Sequence, residues 1–114
     1  MPKLISQKNF SNLIVVGLTT NSENQTTLHQ FPKSSFRSAK YQIQITRGSN
    51  YQLTEFLVVH DGNTTYNTEY ATIKTVDILA TFNSDIIGDN IAILTTPTSS
   101  NPTTFSIIGT AIKI

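Results

Sequence analysis

The sequence predicts an all-β protein, an antiparallel sandwich or jelly-roll-like fold of about eight strands. Three observations predict it. β-Branched Thr, Ile and Val dominate, and no long window places apolar residues at the helical i, i+3, i+4, i+7 spacing. Turn-forming clusters of Gly, Asn, Asp, Ser and Pro recur roughly every 8 to 12 residues. Between them the chain either alternates apolar and polar residues or runs solidly apolar, both strand habits.

The first ten residues stand apart as an N-terminal arm that mixes Leu4, Ile5 and Phe10 with Lys3 and Lys8. It docks on a neighbour or serves as a fraying edge strand; residues 11–114 form the domain. Asn12 to Leu18 is too densely apolar for simple alternation, so a strand covered on both faces is expected. Asn21-Ser22-Glu23-Asn24 turns the chain, and Thr26 to Phe31 makes a second strand stopped by Pro32. Tyr41, Ile43 and Ile45 alternate with Lys40, Gln42, Gln44 and Thr46, the pattern of a strand wet on one side.

Gly48-Ser49-Asn50 leads into a strand from Tyr51 to His60. Asp61-Gly62 is the strongest hairpin signal, because a two-residue type I′ turn needs φ > 0 at both positions. Such a turn sets Leu57 opposite Tyr66 and Leu53 opposite Tyr70, on a returning strand from Thr64 to about Lys74. Ile78 to Phe82 and Ile91 to Thr96 are further strands, with a turn at Gly88-Asp89-Asn90 between them. After the Thr96 to Pro102 loop, Phe105 to Ile112 forms the last strand, in which Gly109 marks a bulge or a close backbone approach.

Composition narrows the function. The 114 residues suffice for one core. With no cysteine there is no disulfide frame and no thiol chemistry. Charged residues are 13% of the chain and the net charge is +1, so a Lys/Arg stripe for nucleic acid is missing. Thr, Ser and Asn fill the gap at roughly a third of the residues, a surface with little self-repulsion that favours assembly or a lectin-like role. No run approaches the roughly 18 apolar residues of a membrane span, and Met1 to Phe10 lacks the apolar centre of a signal peptide. The Asn-x-Ser/Thr triplets at Asn9, Asn24 and Asn63 are read as unglycosylated.

Candidate chemistry is thin. His60 and Asp61, with Glu55 and Glu69, are the one titratable cluster near the hairpin, and Glu55 and Glu69 are placed to be neighbours across it. A nucleophilic triad needs an activated Ser or Cys, and a glycosidase pair needs a sugar platform; the sequence supplies neither. Asp85, Asp89 and Asn90 do not fit a calcium loop, and His29 and His60 lack partners at zinc spacing. No catalytic residue, metal or cofactor is therefore expected. Tyr41, Tyr51, Tyr66 and Tyr70 suit packing in the sheet or its rim, or recognition of a sugar or partner; Tyr66 and Tyr70 are the surface-binding candidates. Leu4, Ile5, Phe10, Phe31 and Phe36 are interface candidates, balanced against closure of the core.

Phe36-Arg37-Ser38-Ala39-Lys40-Tyr41, Gly48 through Glu55, Val58-Val59-His60-Asp61-Gly62 and Thr68-Glu69-Tyr70 resemble a module of virion structural proteins from marine tailed bacteriophages, including cyanophage-like decoration, fibre and tail proteins. Phe82 to Ile86 and Leu94 to Thr98 continue the resemblance, which covers about two thirds of the chain. It implies a non-enzymatic β-rich building block located in the virion and assembled in the host cytoplasm. A capsid decoration (cement) protein is the favoured role, bound to other virion proteins, the major capsid protein above all, as a homo-oligomer with a trimer leading. The alternatives are a tail or fibre component and a host-surface carbohydrate-binding module.

Overall fold

The computed structural model describes residues 11–114. Eight strands run in order: β1 (Ser11–Thr20), β2 (Thr26–Pro32), β3 (Phe36–Arg47), β4 (Asn50–His60), β5 (Thr65–Lys74), β6 (Ala80–Ile87), β7 (Asn90–Pro97) and β8 (Thr103–Lys113). They form two antiparallel sheets, β1-β8-β3-β4-β5 and β2-β7-β6, packed as a sandwich. The chain changes sheet after β1, β2, β5 and β7, while β3-β4-β5 and β6-β7 are hairpins.

The core lies between the sheets. Strand alternation sends Tyr41, Ile43 and Ile45 of β3, Phe56 and Val58 of β4, and Phe105 and Ile107 of β8 inward against Phe31, Ile91 and Ile93 of the smaller sheet. Phe82 bridges Phe56 and Phe105, at ring centroids 6.2 and 6.5 Å apart, the second pair edge to face.

Buried polar groups secure the crossovers, whose backbone has no ladder to join. The Gln52 carbonyl oxygen accepts from Leu79 N–H at 2.6 Å, and its amide donates to Thr54 Oγ1 and to the Ala80 carbonyl. Arg47 donates to Thr103 Oγ1, Thr98 Oγ1 and the Leu79 carbonyl, so one guanidinium holds both the β5–β6 and the β7–β8 connections. Among the described residues no buried side-chain nitrogen or oxygen lacks a partner.

Three expectations need correction. β1 is covered on one face only: Ile14 is buried, whereas Leu13 and Val15 are 76% and 71% exposed. The strand expected from Ile78 begins at Ala80, because Ile78-Leu79 belongs to the pinned crossover, and it continues to Ile87 through the polar Asn83-Ser84-Asp85 stretch. The Asp61-Gly62 connection is a four-residue loop rather than a type I′ turn. Asp61 Oδ1 accepts from the backbone N–H of Asn63 and Thr64, at 2.9 and 2.8 Å, and only Gly62 takes positive φ. That Asx geometry competes with the two-residue turn and wins. The pairing therefore slides by two positions, putting Val59 opposite Tyr66 and Leu57 opposite Thr68, and as far as the bulge this even slide keeps each side chain on its intended face. A bulge at Glu55/Phe56 then brings Leu53 opposite Ile73. The two-residue turns lie elsewhere, at Gly48-Ser49 and Gly88-Asp89, each opened by a glycine at φ 60°.

Candidate binding surface

The titratable cluster at the β4–β5 hairpin does not converge on a reaction centre. His60 is buried, and both ring nitrogens are engaged: Nε2 donates to the Phe36 carbonyl at 2.6 Å, and Nδ1 accepts from Gly62 N–H at 3.0 Å. That pattern fixes the neutral Nε2–H tautomer and uses the imidazole to join the β2–β3 corner to the hairpin loop. Asp61 is held below the ordinary carboxylate range, first by the Asn63 and then by the Thr64 backbone N–H. Glu69 stands opposite Phe56, on the core-side face of β5, and accepts from the Thr72 hydroxyl. Glu55 points to the opposite face, so the two carboxylates expected to be neighbours are separated by the sheet.

The surface with a shape that can bind is the outer face of the five-stranded sheet. Its rows follow from the register: Ile112, Ser38, Val59 and Tyr66 lie side by side, and next to them Leu13, Thr110, Lys40, Leu57 and Thr68. From Ile112 and Thr110 to Tyr66 and Thr68, and without Leu13, these rows line an open groove of about 450 Å³. Tyr66 is 55% exposed, and its hydroxyl donates to Asp61 Oδ2 at 3.4 Å, so the hairpin loop orients the ring. The bulge in the β4–β5 ladder carries Tyr70 beside Lys40. A hydrogen bond with Tyr70, then the charges of Tyr70 and Glu55, raise the Lys40 pKa above that of a free amine. The groove thus offers one aromatic ring, that of Tyr66, an ammonium and an aliphatic floor, with Tyr70 next to the ammonium but outside the lining. It has no nucleophile–base pair.

The other sequence candidates fall as follows. Leu4, Ile5 and Phe10, with the rest of the arm, lie outside the described residues. Phe31 and Phe36 close the core edge to face, with centroids 6.1 Å apart, and present no face to a partner. Tyr41 is fully buried, its hydroxyl 2.9 Å from His29 Nδ1, and burial pushes its phenol up and the His29 imidazole down. Asp85 bonds the Ile86 N–H, Asn90 donates to Gln30, and Gly88-Asp89 is a turn, so these oxygens are not gathered around a cation. Among the described residues no three His, Cys, Asp or Glu side chains form a metal-sized group. Lys40 was missed by sequence reasoning; only the register, two strands removed from Tyr70 in sequence, brings it to the groove.

No family model matches the chain, and no curated protein matches it. Among solved structures it is similar to the tailspike protein of Acinetobacter baumannii phage AM24, with a TM-score of 0.56 at 10% identity, over 97% of this chain and 27% of that one. The tailspike protein of Acinetobacter phage vB_ApiP_P1 aligns with 98% of this chain and 24% of its own, at 14% identity and a TM-score of 0.47. The chain spans about a quarter of the length of either neighbour. The likeness to the AM24 protein is one of fold: the same all-β sandwich recurs within a longer protein.

Proposed function

We propose that this chain is a non-enzymatic structural module of a bacteriophage virion, belonging to the tail or tailspike apparatus. One observation carries the reading: almost the whole chain superposes on one portion of a phage tailspike. The tail reading replaces the capsid-decoration role expected from the sequence. The marine-phage assignment rests on the sequence phrases between Phe36 and Thr98 alone, and the virion location, with assembly in the host cytoplasm, follows from the same reading. The test is fractionation of purified virions into heads and tails, with peptide mass spectrometry for this chain. It is expected in the tail fraction. Recovery with heads restores the decoration role, and absence from both ends the virion reading.

A second reading is favoured by the outer groove. Tyr66 borders an aliphatic floor that carries Lys40, and the exposed Tyr70 ring stands next to that lysine, an amphipathic surface of the kind a sugar ring stacks on. In this reading the module contacts host-surface carbohydrate. Glycan-array binding that Tyr66→Ala and Tyr70→Ala both abolish supports it; binding unchanged in both variants removes it.

A further inference from the structure

We propose that the open edge of β1 is a homotypic docking site, at which a second copy of this chain adds its own β1 antiparallel across a two-fold axis. β1 ends the strand order of its sheet, and among the described residues it pairs only with β8. Among the described residues, one side of this ten-residue strand therefore has no ladder partner for its backbone donors and acceptors. Proteins ordinarily guard such an edge with Lys, Glu, Pro or a bulge. β1 reads Ser-Asn-Leu-Ile-Val-Val-Gly-Leu-Thr-Thr, with no charge and no proline, and its ladder with β8 runs without a register shift. The opposite edge, β5, has a bulge and carries Glu69 and Lys74. Among the described residues, one edge of this sheet is guarded and the other is not.

The side chains identify the occupant. Leu13 and Val15 lie exposed on the outer face of β1, with Ile108 of β8 paired to Val15 and half exposed. Gly17 follows on the same face, at ordinary φ and with nothing within 4 Å of where its Cβ would stand. Nothing among the described residues requires glycine there, and a strand-interior glycine often marks a close approach of another backbone. Antiparallel pairing of β1 with its own copy, centred on Val15, sets Leu13 of each chain over Gly17 of the other and Ile14 beside Val16. Bulk meets vacancy, and both faces stay continuous because this register preserves side-chain parity. A two-fold contact of this kind is isologous and closes. With no charge on the strand, no repulsion opposes it.

The strip is narrow, so association in the micromolar range is expected, at the low end for specific interfaces. The test uses the whole 114-residue chain, which has no cysteine. Sedimentation from about 1 to 100 µM should show a monomer–dimer equilibrium. Val15→Cys should form a disulfide-linked dimer on mild oxidation, while Ile73→Cys on β5 should not. Val15→Lys alters an exposed side chain, so it should fold with an unchanged circular dichroism spectrum yet weaken association at least about tenfold. A wild-type chain that stays monomeric overturns the proposal, including one that dimerises only after removal of residues 1–9. So does an oligomer, dimer or trimer, that survives Val15→Lys or cross-links through Ile73→Cys instead.

Discussion

Gly17 and Gly109 are both strand-interior glycines, yet alanine should act on them with opposite sign. Gly109 sits in β8, opposite Ile14 of β1 on one side and Tyr41 of β3 on the other. A Cβ added there collides with the Lys40 carbonyl oxygen and stands 3.3 Å from both the Lys40 carbonyl carbon and Tyr41 Cα. These are backbone atoms of a strand held between β8 and β4, so relief means displacing a ladder. Overpacking of this kind costs about 1–3 kcal/mol. The entropic advantage of Ala over Gly, about 0.5–1 kcal/mol, offsets only part of it. Gly109→Ala should therefore lose roughly 1–2 kcal/mol net. Gly17 meets no such obstacle, so Gly17→Ala should stabilise the monomer by about 0.5–1 kcal/mol. Urea denaturation at sub-micromolar protein, read as midpoint shifts at constant m-value, separates the two. A Gly109→Ala variant as stable as the wild type, or a Gly17→Ala variant less stable, would refute the reasoning.

Gly62 holds φ at 96°, so Gly62→Val should cost about 1 kcal/mol or more in the same assay, since a β-branched residue resists that region. Gln52→Leu removes the acceptor of the buried Leu79 N–H and should cost about 1–3 kcal/mol, with faster hydrogen exchange at the Leu79 amide as its local signature. Burial lowers the His29 pKa below 6.5, so the unfolded chain binds more protons near and below that value than the folded one. Stability should be greatest above about pH 7 and fall as the pH drops toward the depressed native pKa, with His29→Gln flattening the slope. Asp61 works in the same direction at lower pH: its depressed pKa adds stability above the ordinary carboxylate value that is lost on acidification, and Asp61→Asn should blunt that loss.

The strands were legible because the period-2 signal is local. Tyr41, Ile43 and Ile45 declare their inward face within five residues, and each is fully buried. Gly109 was legible as a special position, and the close approach of the Lys40 backbone, rather than a bulge, supplies the reason. The hairpin register was not, because competition between an Asx loop and a type I′ turn depends on where the Asp61 carboxylate points, which sequence does not encode. Nor was the work of His60 and Gln52. Both look like chemical or surface residues in sequence, yet each satisfies backbone groups at a corner that exists only once the sheets are stacked. The groove was half visible: Tyr66 could be named, but not Lys40 in its lining, nor the bulge that sets Tyr70 next to that lysine.

The density of Leu13-Ile14-Val15-Val16 called for cover on both faces of β1, and the folded chain supplies one. The smaller sheet shows what complete cover looks like: Ala92 and Leu94 of β7 face outward yet are buried between β2 and β6. The larger sheet is arranged differently. Its centre carries Lys40, Gln42 and Gln44 on β3, while its most exposed aliphatics, Leu13, Val15 and Ile73, sit on the two edge strands. A partner stacked face-on would have to desolvate the polar centre to reach those rims. Lateral addition at an edge buries Leu13 and Val15 and leaves Lys40 in water. Among the described residues β5 is guarded and β1 is the open edge of the larger sheet, and a two-fold β1–β1 contact uses up that edge on both chains, so this pairing closes after two. The groove runs from Thr110 and Ile112 of β8, the neighbour of β1, across to Tyr66 on β5, so only its Tyr66 end is remote from that edge.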